Sequence, residues 1–384
     1  MKIISVLKRK RRIRKCLIVL LLGITLLVVS GCHTFSFYSQ AVRGQYQIFA
    51  NEQPINKLIK APSTPEPLRQ RFELLERLRA YAQTELKLPI DDHYRKYVDV
   101  HRPFVVWNVE AAPEFSLQPK TWWYPLLGGL EYRGYFSKQG ATNYAHYLRN
   151  KGYDVSVGGV QAYSTLGWFK DPVLNTFIFE PDADLAEIIF HELGHQRVFA
   201  RGDTDFNEAF ATTVGQEGAR RWLTARGDRS ALEVYLAHLQ RNNQFVHLVM
   251  KTRRQLEALY GDSRNAQGKV ISTEKNQSVP AQQLREQKTQ VMQEMKQQFA
   301  GLKEQWNGDT EYDWWFSHEI NNAHLNSVAA YYDLVPSFEQ LLAAKGGDLE
   351  KFYTEVERLA KMSKKQRQER LRAWTQPESR IGMR

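Results

Sequence analysis

Leu185-Ala186-Glu187-Ile188-Ile189-Phe190-His191-Glu192-Leu193-Gly194-His195-Gln196 is the stretch whose reading decides the rest of the chain. Its apolar residues recur at helical spacing, which predicts one helix over 183–199. Two histidines four apart lie on the same face of a helix, about one turn from each other. Both imidazoles then reach one metal ion, at a nitrogen-to-zinc distance of about 2.0–2.1 Å. The glutamate beside the first histidine reaches a water on that metal and serves as general base. Five residues form a short pattern that also arises by chance on surface helices. Here the pattern is embedded in an apolar helix, which argues for the metal.

A catalytic metal site needs a third protein ligand and an open position. A third histidine six residues after the second would stand at 201, where the chain has Arg201, so that arrangement is excluded. A carboxylate from a following helix is the other solution. Glu208, in Asn207-Glu208-Ala209-Phe210-Ala211, comes thirteen residues after His195, enough for the chain to turn through Gly202 and return antiparallel. The competing reading makes Glu208 a helix-start residue bonding back to Asp205. Asp203, Asp205 and Glu217 are the other carboxylates within reach.

Outward from the motif, the preceding half mixes elements and the following half is helical. A helix is expected near 44–58, another over 67–87 with Leu68, Phe72, Leu75, Leu78 and Tyr81 on one stripe, and a third over 141–150. Strands are expected at Phe104–Val109, at 153–162 and at Thr176-Phe177-Ile178-Phe179, with loops and short strands over 121–136. After the motif, helices are expected over 206–225, 229–260, 281–305, 321–333, 336–345 and 348–374. The helix over 281–305 has a thin apolar stripe suited to packing on 229–260 as a hairpin. The whole predicts an α+β, mainly helical, zincin-like architecture: a small sheet before the motif helix and a helical C-terminal half.

The N-terminus predicts location. Lys2, Lys8, Arg9, Lys10, Arg11, Arg12, Arg14 and Lys15 precede an apolar run from Leu17 to Val29, shorter than the roughly 20 residues of a transmembrane helix. Val29-Ser30-Gly31-Cys32 follows, small residues before a cysteine, as in a bacterial lipoprotein signal. Cleavage before Cys32 and acylation of it would anchor the chain, each buried methylene contributing about 0.8 kcal/mol. His33 stands where inner-membrane lipoproteins commonly carry Asp, so the expected place is the outer membrane, facing the periplasm. Removing the eight basic residues named above from the 53 Lys and Arg leaves 45 against 42 Asp and Glu, so the net charge falls from +11 to near +3. A nucleic-acid partner loses its electrostatic support. The expected organisation is a signal over 1–31, an anchor-proximal segment over 32–65, a catalytic region over 66–260, a polar loop or insertion over 261–280, a helical part over 281–374 and a tail over 375–384.

The chain resembles a bacterial family of aminopeptidases that are periplasmic lipoproteins and predicted zinc metallopeptidases. The resemblance spans roughly 32–345. It rests on Val106-Trp107-Asn108-Val109-Glu110-Ala111-Ala112-Pro113-Glu114-Phe115-Ser116, Tyr132-Arg133-Gly134-Tyr135-Phe136, Ala162-Tyr163-Ser164-Thr165-Leu166-Gly167-Trp168-Phe169-Lys170-Asp171-Pro172, the motif helix, Gly202-Asp203-Thr204-Asp205-Phe206-Asn207-Glu208-Ala209-Phe210-Ala211 and Asn321-Asn322-Ala323. It implies His191 and His195 as zinc ligands, Glu192 as base, Glu208 as third ligand, and a peptide as substrate.

An oxyanion partner is required as well, and Tyr163, Tyr135, Tyr331 and His324 are the candidates. Arg133 is a candidate for a substrate carboxylate, and Glu110 and Glu131 for a substrate amine. Two other functions fit the same residues: a non-enzymatic envelope lipoprotein that binds peptides or partners, and a metalloendopeptidase acting on envelope proteins.

Overall fold

The computed structural model describes residues 36–124, 128–162, 169–261, 263–264, 270–271 and 279–374. The signal and Cys32, Tyr163, most of the 261–280 segment and the tail lie outside the described residues. The chain divides into two compact units, Met1–Asn51 and Glu52–Arg384. In the first, residues 36–50 form helix α1.

The second unit opens with β1 (Gln53–Pro54) and α2 (Ile55–Lys60). The helix expected over 44–58 is therefore two helices. Pro54, with φ of −64°, lacks an N–H to continue a helix and occupies the N-cap position of α2. Helix α3 (Glu66–Thr84) buries Phe72, Leu75 and Leu78, the stripe its periodicity predicts. Strand β2 (Lys96–Val98) pairs antiparallel with β1.

Three short antiparallel strands make the sheet that matters for the site: β3 (Val106–Pro113), β6 (Arg133–Tyr135) and β7 (Tyr153–Val160), with β3 in the middle. Asn108 stands opposite Gly134 on one side and Gly158 on the other. Between β3 and β6 lies the hairpin β4 (Trp122–Tyr124) and β5 (Gly128–Leu130). Helix α4 (Lys138–Arg149) starts at Ser137, whose hydroxyl accepts from the Gly140 N–H, and buries Ala141, Tyr144, Ala145 and Leu148. The strand expected at Thr176–Phe179 is instead a turn; the strand is the preceding Val173–Leu174 (β8), parallel to β2. The Phe177 and Ile178 N–H groups donate to the Leu174 carbonyl, so this apolar run is satisfied within a turn rather than in a ladder.

From β8 onward the unit is helical: α5 (Asp182–Arg197), α6 (Thr204–Arg226) and α7 (Arg229–Tyr260), followed after the short pair β9 (Ser263–Arg264) and β10 (Val270–Ile271) by α8 (Ala281–Gln305), α9 (Asp313–Phe316), α10 (Asn322–Tyr332), α11 (Val335–Ala344), α12 (Leu349–Ala360) and α13 (Lys364–Ala373). The expected hairpin forms: Phe245, Leu248, Val249 and Leu256 of α7 share a buried cluster with Met292, Met295 and Phe299 of α8. The single helix expected over 348–374 is broken, because Ser363 turns extended and caps α13 by accepting from the Gln366 N–H. Asn322 binds the helical half to the sheet half. Its Nδ2 donates to the carbonyls of Pro113 (3.0 Å), Glu114 (3.0 Å) and Ser116 (3.2 Å), while its Oδ1 accepts from the Tyr260 hydroxyl at 3.1 Å.

The architecture is α+β and mostly helical, with small sheets. Among the described residues, no helix is long and apolar enough to cross a membrane.

Candidate metal centre

Helix α5 presents the motif, and its packing on α6 builds the site. The two helices approach closely because glycines stand at the crossing. A Cβ on Gly194 would meet the Ala211 backbone at 3.3 Å, and one on Gly215 would lie 2.8 Å from the Glu187 carbonyl and 3.1 Å from His191 Cβ. The turn between the helices is tied by Asn207, whose Oδ1 accepts from Ala200 N–H at 2.7 Å and whose Nδ2 donates to the Ala200 carbonyl at 2.9 Å. Glu208, the next residue, is thereby held at a fixed height along α6.

Glu208 Oε2 lies 3.5 Å from Nε2 of His191 and 3.5 Å from Nε2 of His195. Ligand atoms of the three residues all fall within 4.8 Å of one another, so the group can hold a metal ion. Glu208 does not serve as a capping residue: Asp203 takes the N-cap position of α6 and makes no side-chain cap bond. The other carboxylates are engaged elsewhere. Asp203 is fully buried and ion-paired with Arg367 and Lys364, Asp205 lies 4.0 Å from Lys364, and Glu217 binds Arg220 and Arg221.

The donor set fits a divalent cation. Burial alone would raise the Glu208 carboxyl, but the His195 charge and the hydrogen bonds from both imidazoles hold it well below the usual carboxylate range. Burial lowers His191, whereas on His195 the Glu208 charge outweighs the burial penalty and raises it. Glu192 is 8% exposed, and burial pushes its carboxyl up to about 8. Among the described residues, Glu192 Oε2 and His195 Nδ1 have no hydrogen-bond partner.

These side chains open into a cavity of about 190 Å³. Its apolar wall includes Val106, Leu130, Val160 and Phe199. Tyr331 borders it and stacks on His191, ring centroids 6.2 Å apart and planes 22° apart. The Glu208 charge, then burial, raises the Tyr331 phenol well above its ordinary value, so its hydroxyl stays protonated. Tyr132 borders the cavity too, and burial, with Glu208 next, raises its phenol.

Tyr132 is a site residue that sequence reading passed over, although alternation contained a signal: residues 132 and 134 share a side of the chain, and 133 and 135 the other. Gly134 lines the cavity, whereas Tyr135 and Arg133 do not. Both pack beside Tyr144 of α4, where Arg133 Nη1 donates to the Tyr144 hydroxyl at 3.3 Å and Tyr135 lies 5.7 Å from its ring. His324 also lies outside the lining; its Nδ1 is 3.0 Å from Oδ1 of the capping Asn321, and burial pushes its imidazole down to about 4. Glu110 and Glu131 do not line this cavity but a small adjoining pocket of about 20 Å³, which Tyr132 and Tyr331 also border. Burial pushes Glu110 up to about 8 against a hydrogen bond with Ser156.

Fold and site together define a mostly helical α+β protein with two histidines and a glutamate gathered around one point, beside a buried glutamate. The chain belongs to the family described as putative aminopeptidase, whose family model matches residues 36–371. That membership supports a peptidase-like function at the level of the family. Among curated proteins and among solved structures, none matches the chain.

Proposed function

We propose that this protein is a zinc-dependent peptidase, and specifically an aminopeptidase, with a zincin-like site. The observation that carries the reading is the convergence of Nε2 of His191, Nε2 of His195 and the Glu208 carboxylate in a cavity that also contains the unpartnered Glu192 Oε2. When bound by these three residues, a zinc ion supplies Lewis-acid polarisation of a carbonyl and lowers the pKa of water toward about 7. Glu192, ionised where a bound cation would offset its burial, takes the proton from the attacking water on Oε2 and delivers it to the leaving amine nitrogen. The protonated hydroxyls of Tyr331 and Tyr132 donate to the oxygen that gains charge. Val106, Leu130 and Phe199 keep bulk water from the reacting groups, which strengthens every charge interaction there.

The reading extends to location: a lipid anchor at Cys32 on the outer membrane, facing the periplasm, with peptides as substrates. It is supported by the basic n-region, the short apolar run and the small residues before Cys32. The deciding experiment is metal analysis of the purified full-length chain, followed by cleavage of a peptide library with and without chelator. About one zinc per chain, with cleavage lost on chelation and restored by zinc, is the expected result. Cleavage indifferent to chelator would overturn it.

A further inference from the structure

Glu192, His191 and Tyr331 also border a second cavity, of about 410 Å³, which adjoins the first along the stripe of the motif helix that precedes His191. The reacting face therefore stands at the junction of two spaces of different character. The first has the apolar wall described above. The second is lined by Asp184 and Glu187, from the two turns of α5 that precede His191. Spacings of three and four place Asp184, Glu187 and His191 on one stripe.

The charges in this second cavity are unbalanced. His238 lines it and its charge acts on both carboxylates, but its Nδ1 also lies 3.0 Å from Glu311 Oε1, so one imidazole is shared among three carboxylates. Arg71 and Arg226, near the start of α5, pair with Asp182. Among the described residues, neither Asp184 nor Glu187 forms an ion pair with lysine or arginine. Glu187 Oε2 accepts from the Tyr235 hydroxyl at 2.6 Å, which fixes the carboxylate on the cavity wall without neutralising it. Burial raises both carboxyl groups. Glu192, nine-tenths buried and with Oε2 unpartnered, faces the same space.

Distance selects the occupant. In a peptide with a free N-terminus, the nitrogen is two bonds, about 2.5 Å, from the first carbonyl carbon. One helical turn is about 5.4 Å. A carboxylate one turn before His191 is thus placed to receive the ammonium of a substrate whose first carbonyl lies at the motif. We propose that Asp184 and Glu187 form the ammonium-binding end of the cleft and thereby set where the chain cuts. This rests on the peptidase reading above and deepens it, since a primary ammonium is offered by the N-terminus of a peptide and by a lysine side chain.

The test is calorimetric titration of the full-length protein at pH 7, zinc-loaded and zinc-free, with leucine amide, N-acetyl-leucine amide and N-acetyl-lysine amide. Leucine amide should bind about tenfold or more tighter than its acetylated form, the difference expected of a charge-assisted hydrogen bond. Asp184→Asn and Glu187→Gln should each remove most of that difference while zinc content is unchanged. Tight binding of N-acetyl-lysine amide, lost in the same variants, would support the ammonium site and assign it to a side chain. Equal binding of leucine amide and its acetylated form, with none of the lysine amide, would overturn the proposal. So would unchanged affinity in Asp184→Asn, the less buried substitution. If the wild-type protein cleaves N-acetylated peptides without any ammonium preference, the site falls and the peptidase reading stands. If ammonium binding depends on Asp184 and Glu187 but no peptide is cleaved, the peptidase reading falls and the site stands.

Discussion

The Glu208 carboxylate lies 3.5 Å from Nε2 of His195, although the two residues belong to different helices. The imidazoles keep the buried carboxylate ionised by hydrogen-bonding to it, and a cation between them would take over that role. Replacing Glu208 by Ala should therefore lower zinc affinity sharply while leaving the fold intact. Zinc content after dialysis against a weak chelator measures it; stoichiometry equal to wild type would place the third ligand elsewhere.

Glu192 lines the same cavity but is not among the three grouped side chains that could hold a metal ion. Glu192→Gln preserves its size and removes its basicity. The expected outcome is retained zinc and a fall in kcat of about 10²–10⁴-fold, the usual contribution of a positioned base. Peptide turnover at the wild-type rate would contradict the assignment.

The helix crossing makes a different prediction. At Gly215, an added methyl has the Glu187 carbonyl at 2.8 Å, backbone that cannot swing aside. Gly215→Ala should cost about 1–3 kcal/mol in denaturant unfolding, as overpacking does. Because it moves α5 against α6, it should also weaken zinc binding, which a mutation elsewhere in the core would not.

Asp203 and Arg367 form a buried pair at the turn before α6, and Lys364 adds a contact to Asp203 at 3.1 Å. Arg367 also donates to the carbonyls of Leu359, Ala360 and Met362. Arg367→Ala leaves a buried carboxylate short of charge. Its cost should approach the roughly 3–5 kcal/mol of a broken buried pair, reduced by Lys364. Asp203→Asn combined with it should recover part of that loss, measurable as a double-mutant cycle in thermal unfolding.

His238, which lines the second cavity, carries a pH dependence of its own. Its hydrogen bond to Glu311 raises its pKa, with burial opposing and Asp184 and Glu187 adding to the rise; Arg241 also meets Glu311, at 3.6 Å. A raised folded pKa means the contribution is fully present below about pH 6.5, the ordinary histidine value, and is lost as pH rises through the folded value. The side chain is a third exposed, so the effect should be under about 1 kcal/mol. Wild type should lose that much more stability than His238→Gln between pH 6 and pH 9; parallel curves would refute it.

Much of the helical framework was legible because periodicity and end signals are local. The ranges 229–260 and 281–305 read from sequence coincide with α7 and α8. Where local reading failed, a local rule was overruled: Pro54 splits one expected helix, and Ser363 breaks another. Arg133 and Tyr135 failed for a different reason. Alternation tells that they share a face, but not which face meets the cavity, and that depends on α4 packing Tyr144 behind them.

By itself, the sequence determined the pair His191 and His195 with Glu192 between them, since helical spacing alone places two imidazoles on one face. It also nominated Glu208, from chain length and the need for a third ligand. Only the tertiary structure decided that Glu208, and not Asp203, Asp205 or Glu217, meets the histidines. That choice is made by glycines that let α5 and α6 approach, by Asn207 clasping the turn, and by Arg367 and Lys364 occupying Asp203. Alternation and helical spacing group Tyr132 with Gly134, and Asp184 and Glu187 with His191, but that these residues border cavities was likewise settled only by packing. A side chain's role there depends on which distant surface closes over it.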